Sequence, residues 1–270
     1  MKSRALFYLF LFVVFFWENP LIAQESEEKE KSSYVTVTTL HGADNFDFEA
    51  WKEIEEEYFE KVTSKIDLIR SHEVLMSYFA PQFAEIKVIN LISSWEDIMT
   101  INEMRAALIE EAWPDEEERE AFFEKQNSFY KSKHSDEIFL TSDFSKEFTP
   151  QSGQNNPFIF MIKTNILSDI ENEDSYENYE TYVNEVVYKN EKILGYYPFR
   201  HFWGDDSREF TEIFVLDTFS DIELSQYESN ALLSKIVPKE EERRDFLTSL
   251  FSAIESQTTL FYRNIPSLSK

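Results

Sequence analysis

Cysteine is absent from the 270 residues, and glycine occurs only four times, as Gly42, Gly153, Gly195 and Gly204. Without a thiol there is no disulfide, no thiolate nucleophile, no Cys-ligated zinc or iron–sulfur site, and no acceptor for lipidation as a lipoprotein. So few glycines cannot write the G-x-G-x-x-G of a dinucleotide fold or a P-loop, and neither G-x-S-x-G nor H-E-x-x-H occurs. Basic residues are also scarce: 26 Lys and Arg oppose 52 Asp and Glu, for a formal net charge of −26. A surface of that sign repels phosphate backbones, so nucleic acid is not expected as a partner. Solvated helix faces account for most of the acid. Aromatic residues are plentiful, with 26 Phe, 13 Tyr and 5 Trp. They can fill the cores of two ordinary domains of ~100–150 residues each.

Lys2 and Arg4 precede an uninterrupted apolar run from Ala5 to Trp17, followed by Glu18-Asn19-Pro20 and a small residue at Ala23. That order reads as a secretory signal peptide over residues 1–23, cleaved after Ala23. The 13 apolar residues fall short of the ~20 that a spanning helix requires. The expected product is secreted or periplasmic, with no stable membrane insertion after cleavage. Loss of Lys2, Arg4 and Glu18 takes the net charge to −27. Residues 24–33, which include QESEEKEK, form an acidic leader.

Beyond the leader, Tyr34 to Leu40 alternates and is rich in β-branched residues, which predicts a half-buried strand. Phe48, Trp51, Ile54, Tyr58, Val62, Ile66 and Ile69 then step by three and four, predicting one amphipathic helix across the whole run. Strands follow at His72–Phe79 and Phe83–Ile92, with a hairpin across Ala80-Pro81-Gln82. Ser94 and Asp97 open a helix in the manner of a capping box; Pro114 interrupts it, Asp115 to about Lys131 starts another, and Glu137–Thr141 is a strand. Residues 143–157 (DFSKEFTPQSGQNNP) read as a linker. The order then begins again: a strand at Phe158–Lys163, an acidic loop, and a helix burying Tyr179, Tyr182, Val183, Val186 and Val187. Strands at Tyr196–Trp203 and Phe210–Leu216, a helix from Ser220 to Leu233, Pro238, another helix and a strand at Thr259–Tyr262 complete it. Residues 265–270 are a tail.

Pro114 opens "PDEEER" and Pro238 opens "PKEEER", 124 positions apart. "SSWEDI" (Ser93 to Ile98) and "DTFSDI" (Asp217 to Ile222) share that offset, whereas "FAEI" (Phe83 to Ile86) and "FTEI" (Phe210 to Ile213) lie 127 apart, implying a length change between them. A proline followed by acids starts a helix, because Pro in the first turn loses no hydrogen bond and Glu there suits the helix dipole. Arg119 and Arg243 are placed to pair with Glu116 and Glu240 one turn earlier. The recurrence predicts a duplicated α+β chain, with repeats at 34–142 and 158–264. Each repeat has the βαββαβ order of ferredoxin-like domains, and the two pack sheet to sheet.

The strand, Ser/Thr, aromatic, x, Asp-Ile run into the second helix, seen in Ser94-Trp95-Glu96-Asp97-Ile98 and Thr218-Phe219-Ser220-Asp221-Ile222, together with the element order over Tyr34 to Tyr262, resembles the dimeric α+β barrel superfamily. That group includes antibiotic-biosynthesis-monooxygenase-like and stress-responsive barrel proteins. The resemblance implies an intramolecular barrel, a monomer containing an internal pseudo-dimer. Haem-handling members use an Asn, Trp and His set with the His on the helix after the third strand. Neither corresponding helix here contains a His. Members that oxidise aromatic substrates need no metal or flavin, so no cofactor and no metal site are expected.

Tyr196, Tyr197, Phe199, Arg200, His201, Phe202 and Trp203 concentrate rings and two cationic groups in eight residues. The pattern suits an aromatic-walled pocket for a small apolar or aromatic ligand. Catalytic candidates are His201, Arg200 and Tyr197; ligand-binding candidates are Tyr196, Phe199, Trp203, His72 and Trp95. His72 and His201 each lie in the second strand of a repeat, which would place two imidazoles in a shared cleft. The same residues also read as an ordinary aromatic core strand. A ligand-binding protein, a cofactor-independent monooxygenase or isomerase, and a non-catalytic interaction module all remain open. Acidic Glu171–Glu177 and Asp205-Asp206 with Glu209 lack EF-hand spacing and read as solvated loops.

Overall fold

A computed structural model describes residues 33–79, 84–150, 156–168 and 173–270. The expected signal peptide, nearly all of the leader, the Ala80-Pro81-Gln82 hairpin loop and residues 151–155 lie outside the described residues. The chain runs β1 (Tyr34–His41), α1 (Phe48–Lys61), β2 (Ile69–Ser77), β3 (Glu85–Ile92), α2 (Trp95–Ala112), α3 (Glu116–Ser128) and β4 (Ser135–Thr141). It continues with β5 (Ile159–Leu167), α4 (Glu173–Tyr182), β6 (Gly195–Trp203), β7 (Glu209–Leu216), α5 (Asp221–Ile236), α6 (Glu240–Phe251) and β8 (Ile254–Asn264). This is a mixed α+β fold. The eight strands, antiparallel throughout, close into one barrel in the order β1-β3-β2-β8-β5-β7-β6-β4. No described helix is long and apolar enough to cross a membrane.

Alternation along each strand separates two environments. One row points into the barrel, where Val35, Val37, Leu75, Phe139, Phe160, Ile162, Phe199, Ile213, Val215 and Tyr262 form a cluster with Ile89 and Leu91. The other row meets the helices. Ile54, Val62, Ile66 and Ile69 pack with Ile101, Trp113 and Phe122 beneath α1 to α3, while Ile159, Met161, Tyr196, Phe214 and Leu216 pack against Val183 and Val187 beyond α4. Closure between the two halves of the chain is brief, since β2 meets β8 only over Leu75–Ser77 and β4 meets β6 over Ile138–Thr141.

Helix α1 is capped by Asp47, whose carboxylate accepts from the Glu49 and Ala50 N–H groups. It ends at Lys61, not at Ile69 as the apolar spacing predicts. Val62 leaves the helical region, Thr63–Lys65 forms a 3-10 turn, and Ile69 already begins β2. Val62, Ile66 and Ile69 are nonetheless buried in the same cluster, so the spacing tracked burial past the point where helicity stopped. The acidic stretch expected as a loop is helical from Glu173, and α4 continues into a five-residue π turn, Val183–Val187. Ser94 caps α2 as expected, with its Oγ accepting from the Asp97 N–H.

The repeated Pro-x-Glu-Glu-Glu-Arg opens a helix as expected, with three glutamates in each first turn, but its proline and arginine are placed differently. Pro114 lies before the cap residue Asp115 and outside the helix; Lys239 occupies the corresponding cap after Pro238. Arg119 turns back to donate to the Trp113 carbonyl at 2.9 Å, and Arg243 donates to the Val237 carbonyl at 2.8 Å. Trp113 and Val237 are the C-caps of α2 and α5. Each arginine therefore ties the negative end of one helix to the start of the next, and its partner is this carbonyl instead of the glutamate one turn earlier.

The ladders also correct the "FAEI"/"FTEI" match. Leu91 pairs with Val35 and Ser71, and Val215 pairs with Phe160 and Gly195. These hairpins superpose at an offset of 124, so the two tetrapeptides are three residues out of register and no length change is required.

Candidate functional site at the barrel mouth

Strand alternation disperses the residues that β6 brings together in sequence. Phe199 belongs to the barrel interior, with Tyr197 packed against it. Tyr196, fully buried, faces the helices instead, and Arg200 is exposed. Arg200 and His201 therefore do not share a pocket; neighbouring residues on a strand point to opposite faces. Tyr197 accepts a hydrogen bond from the Phe148 N–H, and burial pushes its phenol up to about 12. Trp203 lies exposed at the barrel rim, opposite Ile138. Trp95 is also exposed and packs with Tyr34 and Phe202 on the outer surface, away from any cleft.

His72 and His201 do not meet either. His72 occupies the position in β2 that Tyr196 occupies in β6, as their partners Asn90 and Phe214 show. Its ring stacks on Phe59, its Nδ1 lies 2.7 Å from the Asn90 Oδ1, and burial lowers its pKa. This is a core histidine of the helix-facing layer.

His201 lies at one end of the barrel interior. Its ring meets the Phe139 edge at 5.9 Å and 90°, and among the described residues its Nε2 is sealed from solvent without a hydrogen-bond partner. Gly204, at φ 150°, lies against it: a Cβ there would sit 2.9 Å from Nε2 and 3.1 Å from Glu137 Cγ. Both the φ value and the close approach require glycine. Glu137 has its pKa raised by burial first and then by Glu209 and Asp205, while Lys87 opposes the shift. Lys87 donates to the Thr39 Oγ1 at 2.8 Å and stands 5.9 Å over the Tyr262 ring, and the Tyr262 hydroxyl donates to Glu85. Across the mouth, Thr211 donates to Glu209 at 2.8 Å. A ring-walled end thus holds one unpartnered basic nitrogen, one ammonium and several carboxylates. Sequence reasoning missed Lys87 and Glu137. The inward rows Lys87–Ile89–Leu91 and Glu137–Phe139 carried the signal, but it was legible only once inward and outward rows were assigned.

A second polar cluster lies between the sheet and the helices of the second half. The Tyr179 and Tyr196 hydroxyls are 2.6 Å apart, Tyr196 donates to Glu212, Asn165 donates to the other Glu212 oxygen at 3.0 Å, and Gln257 donates to Asn165 at 2.6 Å. Both phenols are held well above their ordinary range by burial and by Glu212. These hydrogen bonds satisfy one another, which suits a structural role. Asp206, in the acidic loop, is engaged by Arg208. Among the described residues no group of three or more His, Asp or Glu is placed to hold a metal ion.

No family model matches the chain, and no curated protein matches it. Solved structures do. A proposed monooxygenase from Fusobacterium nucleatum superposes with TM-score 0.59 at 9% identity, covering 87% of this chain and 93% of that one. A proposed monooxygenase from Lactobacillus acidophilus gives 0.55 at 9%, covering 86% and 94%, and an anthrone oxidase-like protein gives 0.50 at 10%, covering 88% and 92%. All belong to the dimeric α+β barrel superfamily. At such identities the likeness establishes the fold, and the chain has the architecture of that group.

Proposed function

We propose that the chain binds a small apolar or aromatic molecule at the end of the barrel that holds His201 and oxidises it in the manner of a monooxygenase, with His201 as the base. The observation that carries this reading is the sealed, unpartnered His201 Nε2 between Phe139 and Gly204. A buried polar atom without a partner costs free energy unless a ligand completes it. A ring CH2 beside a carbonyl would lose its proton to Nε2, and the Lys87 ammonium would offset the charge of the enolate. Dioxygen, as co-substrate, then converts CH2 to C=O, and its second oxygen atom leaves in water. The names of the structural neighbours support this reaction class. Tyr197 and Arg200 take no part, because they lie away from Nε2. The test is oxygen uptake with a panel of polycyclic ketones and phenols, alongside quenching of Trp203 emission. Quenching without uptake would leave a binding protein, and neither response would remove the mouth as a site.

The chain reads further as a tandem duplication of ferredoxin-like units, acting as a monomer exported by its signal peptide. Support comes from the 124-residue offset that relates Arg119 to Arg243 and the β2–β3 hairpin to β6–β7. Mass in solution tests the monomer, and N-terminal sequencing of extracytoplasmic protein tests the cleavage. An interaction module is the second reading, favoured by exposed ring clusters at Tyr78–Phe79–Phe219 and Trp95–Phe202.

A further inference from the structure

After β4 and after β8 the chain does not leave the barrel. Each time it crosses onto the other half and docks in the same way. Lys146 exchanges both backbone hydrogen bonds with Tyr196, at 2.7 and 3.0 Å, and Lys270 exchanges both with His72, at 2.9 and 3.0 Å. The Lys146 ammonium then donates to the Asn190 and Ile193 carbonyls at 2.9 and 2.6 Å. The Lys270 ammonium donates to the Ile66 and Ser64 carbonyls at 2.9 and 3.3 Å. Tyr196 and His72, Asn190 and Ile66, and Lys146 and Lys270 are each 124 positions apart. The arms themselves read Phe144-Ser145-Lys146 and Leu268-Ser269-Lys270. Phe144 packs into the cluster beneath α4, and Leu268, at 1% exposure, packs into the cluster beneath α1. Ser269 adds a 2.8 Å hydrogen bond to Glu73.

Two docking events with one geometry define a recognition mode. A strand edge supplies the backbone pairing, an apolar hollow takes the first side chain, and a pair of carbonyls at the end of a turn takes the ammonium. Main-chain pairing provides affinity and the side-chain positions provide selectivity, as in β-strand addition generally. Carbonyls at such a turn carry partial negative charge and reward a cation that reaches them.

We infer that the socket formed by His72, Ser64, Ile66 and the hollow beneath α1 is a binding site for polypeptide segments of the class apolar-Ser-Lys. Residues 266–270 fill it in cis, and it accepts the same segment in trans when they are withdrawn. The lysine is the residue the socket reads. A variant ending at Ile265 keeps the Ile265 N–H that donates to the Val74 carbonyl at 2.9 Å. Fluorescence polarisation with a labelled peptide of residues 266–270 is expected to show saturable binding to this variant and none to the full chain. A peptide carrying Lys270→Ala should bind at least ~10-fold more weakly, given the strength of charge-assisted hydrogen bonds. Equal binding of the two peptides, or no binding by a folded shortened chain, would overturn the inference. Should the shortened chain not fold, hydrogen exchange at the His72 amide in full-length Lys270→Ala decides. Exchange at least ~10-fold faster supports lysine-dependent docking, and unchanged exchange contradicts it.

Discussion

Helix α1 is held to the barrel by Trp51, fully buried and hydrogen-bonded through Nε1 to the Tyr130 hydroxyl, whereas the matching place in α4 is Ser175, which bonds the Ser249 carbonyl. Four residues on, Glu55 accepts from Tyr130 and Gln126, while Tyr179 meets Tyr196 and, through it, Glu212. The first half anchors its helix with one large ring and a buried acid; the second uses a polar network and a π turn. The β2 position matching His201 is Ser77, as the hairpin ladders require. A common skeleton thus tolerates different interiors, and the two halves bring different polar groups to the same end of the barrel. The backbone ladders are indifferent to side-chain identity as long as the inward row stays filled.

The sharpest way to break that comparison is Trp51→Ala, expected to cost about 3–5 kcal/mol in denaturant unfolding because a large ring leaves a cavity. Ser175→Ala should cost about 1 kcal/mol, one hydrogen bond. Comparable losses would mean the two helices are anchored alike. Next, Tyr196→Phe removes the hydroxyl between Tyr179 and Glu212 and should cost about 1–3 kcal/mol by leaving buried polar groups short of a partner.

The halves should differ in their response to pH as well. Burial raises the pKa of both Glu55 and Glu73 above the ordinary 4.5, against the donors that hold them. A carboxyl whose folded pKa is raised contributes stability that is fully present below its unfolded pKa and lost as pH rises through the folded value. Glu73→Gln should therefore flatten the decline in melting temperature from about pH 4.5 upward. An unchanged profile would show that Glu73 carries its charge at no cost. Among the smallest expected effects are those of Arg119→Ala and Arg243→Ala, about 0.5–1.5 kcal/mol each. Equality is the informative part, since the two guanidiniums close equivalent corners.

The skeleton was largely legible in the sequence because strands with one buried face alternate and helices with one buried stripe step by three and four. Ser94, Asp97 and the alternation of β1 were read correctly for that reason. Where one cluster is filled from a helix, a turn and a strand in succession, as by Val62, Ile66 and Ile69, spacing alone could not show where the helix stopped. The site was less legible. "YYPFRHFW" looks like one aromatic wall, yet alternate residues face different layers, and the groups that join His201 come from β3 and β4, more than 60 positions away in sequence. The arms escaped notice because polar composition around Gly153 suggested a linker, while Phe-Ser-Lys and Leu-Ser-Lys are too short to register as a repeat.

Substrate-dependent oxygen uptake by the wild type and by His201→Gln, measured beside Trp203 quenching, tests the role given to the barrel mouth most directly. Loss of a positioned base predicts turnover reduced at least ~100-fold with quenching retained. Undiminished turnover in the variant would contradict the assignment of His201 as the base.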